Sequence, residues 1–240
     1  MALKYKRILL KFSGEALMGS GDFGLDAGTL KAVVSQVKAL RGLGVEVAIV
    51  VGGGNIFRGA QIQGSGIQRT TGDHMGMMAT VMNALALRDV IESMGMNAQI
   101  LSAMPIDGIS AGFDANSAKK QLANGDVLVF AAGTGSPFFT TDTAAALRGI
   151  EVDAEIVLKA TKVDAIYSAD PMKDSNATRY EFLTYDDVIQ KDLQVMDMAA
   201  FVLCREHKMP IRVFDMFKGD AVIRIVQGES EGTLVAEGER

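Results

Sequence analysis

The chain has 240 residues, 48% of them hydrophobic and 22% charged, with a net charge of −5. That length and composition predict one globular domain with a substantial core and exclude a disordered chain. No Lys/Arg block is long enough to serve as a nucleic-acid tail, and the one tight basic cluster, Lys4, Lys6 and Arg7, is assigned to the solvated start of a strand.

Cys204 is the single cysteine, so an intrachain disulfide and a thiolate metal cluster are excluded, and its apolar surroundings predict a buried structural thiol. No apolar stretch approaches bilayer length, and Met1 to Arg7 runs directly into a strand, so a cytoplasmic location away from any membrane is expected.

Taken in chain order, strands are predicted at 8–12, 45–51, 98–101, 126–131 and 156–160. Helical spacing occupies 27–43, 73–94, 115–123 and 141–148 between them. Runs of Ile, Val and Leu without polar alternation predict a mostly parallel sheet covered on both faces, and strand alternating with helix gives an α/β sandwich of three layers. Residues 162–180 are polar, contain Pro171 and are predicted as a loop and hairpin. Helices at 184–191 and 196–207 follow, then strands at 211–214 and 222–226, with an edge strand near 233–236 in the tail. The whole, 1–240, is expected to form one domain with two functional lobes, about 1–155 and about 156–240.

Three glycine-bearing loops follow predicted strands: Ser13-Gly14, Gly52-Gly53-Gly54-Asn55 and Gly133-Thr134-Gly135. Ligands of open α/β sheets sit beyond the carboxyl ends of strands, and glycine lets backbone N–H groups approach a phosphate. Three such loops at one sheet edge predict an anion site. Lys11 lies beside the first loop, where a buried lysine needs an anionic partner. Arg58 follows the triple glycine, and Thr134, Thr140 and Thr141 supply hydroxyls. Asp142 stands at a predicted helix start, where a cap or first-turn role can coexist with a catalytic one.

There is no Walker P-loop. The match of Gly19 to Gly24 with G-x-G-x-x-G begins too far after its strand for a dinucleotide fingerprint. His74 is assigned to helix-end packing, His207 to a helix C-terminus, and the methionines Met75, Met77, Met78 and Met82 to a core or subunit interface. No Ser-His-Asp set, Cys-His pair or metal-ligand cluster accompanies the cations. A site of Lys, Arg and amides suits phosphoryl transfer to an acceptor that is already ionised, a phosphate or a carboxylate, which needs no general base.

The strings Lys11 to Leu17, Gly52 to Gly59, Gly72 to Met77, Gly133 to Asp142, Lys159 to Asp164 and Tyr167 to Pro171 resemble the bacterial uridylate kinases of the amino acid kinase superfamily, in order and over nearly the whole chain. The resemblance implies the amino acid kinase fold, a homohexamer, and transfer of the γ-phosphoryl of ATP to UMP, with Mg²⁺ carried on ATP and no metal held by the protein alone. It implies catalytic roles for Lys11, Arg58 and Asp142. It also implies that Lys11, Phe12, Ser13, Gly14, Gly54 and Arg58 meet the ATP phosphates, and that Thr161, Tyr167 and Asp170 meet adenosine. The UMP site would comprise Gly53, Asp73, Thr134, Gly135, Ser136, Pro137, Phe138, Phe139, Thr140 and Thr141, with Asp73 on the ribose hydroxyls and Asp197 a further acid nearby. UTP inhibition is implied. GTP activation is not carried over: Arg88 offers a cation, whereas Gln99, Ala123 and Asp126 do not. Ala165 departs from the family's glycine, and 107–124 matches weakly.

Two alternatives stand beside this reading. One is a superfamily kinase acting on a small carboxylate, against which the two rings of Phe138 and Phe139 argue. The other is a nucleotide-sensing regulator without turnover, against which the Lys11, Arg58 and Asp142 set argues. Lys11→Ala, Arg58→Ala and Asp142→Asn are expected to reduce turnover far more than folding stability.

Overall fold

A computed structural model describes residues 3–59, 64–174, 176–193 and 195–238. The first two residues of the opening stretch, Ser175 in the expected hairpin and the end of the expected tail at Glu239 and Arg240 lie outside them.

The first five strands appear where apolar runs predict them: β1 (Arg7–Phe12), β2 (Glu46–Val51), β3 (Ala98–Ser102), β5 (Val127–Ala131) and β6 (Ile156–Thr161). Short strands β4 (Ala111–Gly112), β7 (Ile166–Tyr167), β8 (Arg179–Tyr180) and β9 (Phe182–Leu183) join them, followed by β10 (Ile211–Asp215) and β11 (Thr233–Val235). Among the described residues nine strands form one sheet in the order β4-β3-β5-β2-β1-β6-β10-β11-β9, parallel except between β10 and β11. β7 and β8 pair separately as the antiparallel hairpin expected from the polar 162–180 segment.

Side-chain alternation sorts the strands into two cores. Ile8, Leu10 and Phe12 face one layer with Val47, Ile49 and Val51, covered by helices α1 (Ala27–Gly42), α2 (Arg69–Ser93) and α7 (Ala221–Val226). Leu9, Ala48, Val50 and Val157 face the other, under α3 (Ala115–Asn124), α4 (Thr141–Glu151), α5 (Tyr185–Gln190) and α6 (Met198–Glu206). This is the expected three-layer α/β sandwich. Cys204 is buried in the second layer, and burial pushes its thiol up to about 12, so it stays protonated.

Three expectations change. The segment predicted as a strand at 222–226 is helix α7. Ala221, Val222, Ile225 and Val226 are buried, and that i, i+1, i+4, i+5 spacing presents one helical face to α1 despite the β-branched side chains. β11 is not an edge strand, because β9 covers it. The methionine-rich helix begins at Arg69, so Asp73 and His74 lie in its second turn rather than at its start, and His74 is exposed.

Gly232 enters β11 at φ +68, and a Cβ there would lie 1.9 Å from the Val213 carbonyl oxygen. Backbone cannot yield as a side chain can. Gly232→Ala is therefore expected to cost more than the roughly 1 kcal/mol typical of a positive-φ glycine, with loss of soluble folded chain, which thermal melts would check.

Candidate active site

The three glycine loops leave the carboxyl ends of β1, β2 and β5, which are neighbours in the sheet, so the chain brings them to one edge. The first two touch one another. A Cβ on Gly14 would lie 2.4 Å from Asn55 Oδ1 and 2.8 Å from the Gly52 carbonyl, so glycine here serves loop-to-loop packing as well as any ligand.

Helix α2 holds this edge from one side. Thr80 accepts a hydrogen bond from the Ala132 N–H (2.8 Å), and Asn83 donates to the Gly52 carbonyl (2.7 Å). Asp73 accepts from the Phe138 N–H (2.8 Å) and from the Arg69 guanidinium (2.8 Å). The result is a cavity of about 220 Å³ lined by Gly53, Gly54, Asp73, Thr134, Phe139, Thr140 and Thr141, together with Phe57, Arg69 and Met77. Gly135, Ser136, Pro137 and Phe138 form the outer loop of that cavity rather than its lining. Phe138 has φ +73 and an exposed ring against Arg69.

Below this cavity lies a buried cluster of three charged side chains. Lys11 and Lys159 stand opposite each other in the β1–β6 register, both on the face that meets α4. The first turn of α4, capped by the Thr140 hydroxyl, places Asp142 between them. Lys11 Nζ lies 2.5 Å from Asp142 Oδ1 and Lys159 Nζ 2.7 Å from Oδ2. Burial alone would raise the Asp142 carboxyl. The two ammonium groups outweigh it and hold the carboxyl below its ordinary value of 3.8. Burial lowers Lys159 from 10.5, with Asp142 opposing and Lys11 adding to the fall. Lys159 also donates to the Val195 carbonyl, tying β6 to the chain before α6.

The predicted residues thus converge, with qualifications. Phe12 contributes only backbone, since its ring is buried in the first core layer. Ser13 caps a 3-10 turn, Gly14–Leu17. Arg58 is held at the mouth by Glu15 (3.0 Å) and the Gly54 carbonyl (3.0 Å). Asp197 is committed: it accepts from Thr140, from Thr143 (2.8 Å) and from the Ala200 N–H (2.9 Å), so one carboxylate fastens the starts of α4 and α6 together. Thr161, Tyr167 and Asp170 share a second cavity of about 650 Å³ with Lys159, on the other side of the lysine pair. There Tyr167 donates to Asp164 (2.7 Å), which also meets Arg179 (3.1 Å).

Sequence reasoning gave Lys159 no role, although its place one strand from Lys11 on the same face was implicit in the parallel register. Asn83, Thr80 and Arg69 were likewise missed. A polar residue recurring inside an otherwise apolar helix was the available signal.

The geometry revises one expectation. Asp142→Asn leaves two buried ammonium groups facing each other, so it is expected to cost about 3–5 kcal/mol of stability as well as turnover. Because the folded Lys159 pKa then falls further below 10.5, the unfolded chain binds more protons and the variant's stability rises with pH. Melting temperatures across that range should show the gap to the unsubstituted chain narrowing toward alkaline pH; a pH-independent gap contradicts the cluster.

Comparisons with known proteins identify the family to which this fold belongs. The sequence profile described as "Amino acid kinase family" matches residues 6–215. A uridylate kinase of Hydrogenovibrio crunogenus is 78% identical over 98% of this chain and 100% of its own length. One of Pseudomonas fluorescens is 55% identical over 99% and 96%. The crystal structure of a UMP kinase from Bacillus anthracis superposes with a TM-score of 0.95 at 34% identity, covering 98% of this chain and 97% of that one. The chain therefore belongs to the amino acid kinase family, among its uridylate kinases.

Proposed function

We propose that the chain transfers the γ-phosphoryl group of ATP to UMP, giving ADP and UDP. The observation that carries the reading is the 78% identity to a uridylate kinase across that protein's whole length. The geometry supports it. Two cavities flank the Lys11–Asp142–Lys159 cluster, the smaller lined by Asp73 and Phe139 and the larger by Thr161 and Tyr167. In this reading the smaller holds the acceptor nucleotide and the larger the adenosine of the donor, which gives the two lobes their division of labour.

A phosphate monoester oxygen is ionised at neutral pH, so attack on the γ-phosphorus requires no base. Asp142 suits that chemistry, because a carboxylate held below 3.8 by two ammonium groups is a poor proton acceptor. Its part is to hold the two cations in register while charge spreads over the transferring oxygens. Arg58, at the mouth between the first two glycine loops, exchanges Glu15 for a phosphate oxygen. Asp73, already aimed into the smaller cavity, accepts the ribose hydroxyls. Gly14, Gly54 and Ser13 offer backbone and hydroxyl contacts to the donor phosphates, while Thr134 to Thr141 shape the acceptor end.

Mg²⁺ enters as the ATP complex and supplies charge neutralisation on the phosphates. Among the described residues no group of three or more His, Cys, Asp or Glu could hold a metal. The same reading includes inhibition by UTP at the acceptor site, a cytoplasmic role in pyrimidine nucleotide synthesis and assembly as a homohexamer. Met75 and Met82, exposed along α2, supply apolar surface for such an assembly. No helix of the described residues is long and apolar enough to cross a membrane.

The test is ADP release with Mg-ATP against UMP, CMP, dUMP, AMP, aspartate, N-acetylglutamate and carbamate. Turnover concentrated on UMP is expected. Turnover on an acid alone would keep the fold and overturn the acceptor assignment, and UTP binding without turnover on any acceptor would point to a regulator.

A further inference from the structure

Asn55 and Asn83 are 1% and 0% exposed, at the junction of α2 with the first two glycine loops. Their side-chain amides bond reciprocally: Asn83 Nδ2 donates to Asn55 Oδ1 (2.7 Å) and Asn55 Nδ2 to Asn83 Oδ1 (3.0 Å). Asn83 Nδ2 also donates to the Gly52 carbonyl (2.7 Å), and Asn55 Nδ2 to the Gly24 carbonyl (2.9 Å). Each amide group thus has two acceptors, and each oxygen a donor. Leucine could fill this space among the apolar side chains of α2, so a fully satisfied polar pair calls for a reason beyond packing.

The reason lies in the peptide that Asn83 holds. The Gly52 carbonyl and the Gly53 N–H belong to one planar unit, and no described peptide is cis, so the two groups point in opposite directions. With the carbonyl fixed toward Asn83, the Gly53 N–H is turned away from it. Among the described residues neither Gly53 N nor Gly54 N donates a hydrogen bond, and both residues line the smaller cavity. Gly53 cannot drift, because a Cβ there would already lie 2.8 Å from Ala79 Cβ and from the Gly76 carbonyl.

We propose that Asn83, locked by Asn55, is a positioning residue that aims the Gly53 N–H at the phosphate of the acceptor nucleotide. The proposal rests on the kinase reading and adds to it a residue that touches no substrate. Without Asn83, the Gly52–Gly53 peptide is free to rotate its N–H out of the cavity while the loop remains closed over α2. The ligand group affected is an anion, because an aligned backbone N–H gains most from a charged acceptor.

The test compares equilibrium binding of UMP and of uridine, which lacks the phosphate, to the full chain and to Asn83→Leu and Asn83→Ala. Losing one charge-assisted hydrogen bond predicts about tenfold or more weaker UMP binding, with uridine changed less than about twofold. A general loosening of the fold would weaken both ligands alike. In the unsubstituted chain, the Gly53 amide resonance is expected to shift with UMP and not with uridine, a readout that needs no variant to fold. Equal loss of both ligands, unchanged UMP binding in a folded variant, or a Gly53 resonance indifferent to UMP would overturn the proposal. Failure of the unsubstituted chain to bind UMP would overturn the kinase reading along with it, whereas UMP binding with unselective loss overturns the positioning role alone.

Discussion

One carboxylate between two ammonium groups governs this active-site edge. Lys11 and Lys159 are neighbours only because β1 and β6 pair in parallel and in register, and alternation sends both side chains to the same face. Two cations so placed in a buried sheet would repel each other and suffer desolvation. Asp142 relieves both costs, and it reaches them because α4 begins directly above the strand ends. Asp197 then fixes where α4 begins by joining its first turn to that of α6. The electrostatic centre thus depends on a sheet register, a helix start and a second carboxylate, Asp197, whose charge also favours the protonated form of Lys159.

Helix α2 plays the complementary part for uncharged groups. Asp73, Thr80 and Asn83 are spaced seven and three residues apart, which aligns them along one stripe of the helix. Each fixes a different loop: the Phe138 turn, the Ala132 turn after β5, and the triple glycine after β2. Ala132 and Phe138 are both held at positive φ, where a side chain is strained, so these bonds stabilise backbone that would otherwise relax. One face of a single rigid helix sets the relative position of two of the glycine loops and the aromatic turn.

Much of this was legible in the sequence because it is repetitive. Uninterrupted Ile, Val and Leu runs gave the parallel strands, and glycine after three of them gave the ligand edge. The strings around Lys11, Arg58 and Asp142 carried the family resemblance. What escaped depends on pairing between distant segments. Val222 to Val226 has strand-forming residues in helical spacing, and only packing against α1 decides between the two. Lys159 gains meaning from its register with Lys11, which composition does not state. Asn83 gains its role only from the Gly52 carbonyl it holds, which lies 31 residues away in the chain. Asp73 was expected at a helix start, but the helix extends a turn further and supplies Arg69 as its partner.

The central claim is that Asp142 remains a carboxylate because two lysines surround it, and a titration of its carboxyl carbon by NMR tests this most directly. In the unsubstituted chain the account predicts a midpoint below the ordinary 3.8, and in Lys159→Met a midpoint moved upward, since burial then faces one ammonium group instead of two. A midpoint at or above 3.8 in the unsubstituted chain, or one indifferent to the loss of Lys159, would contradict it.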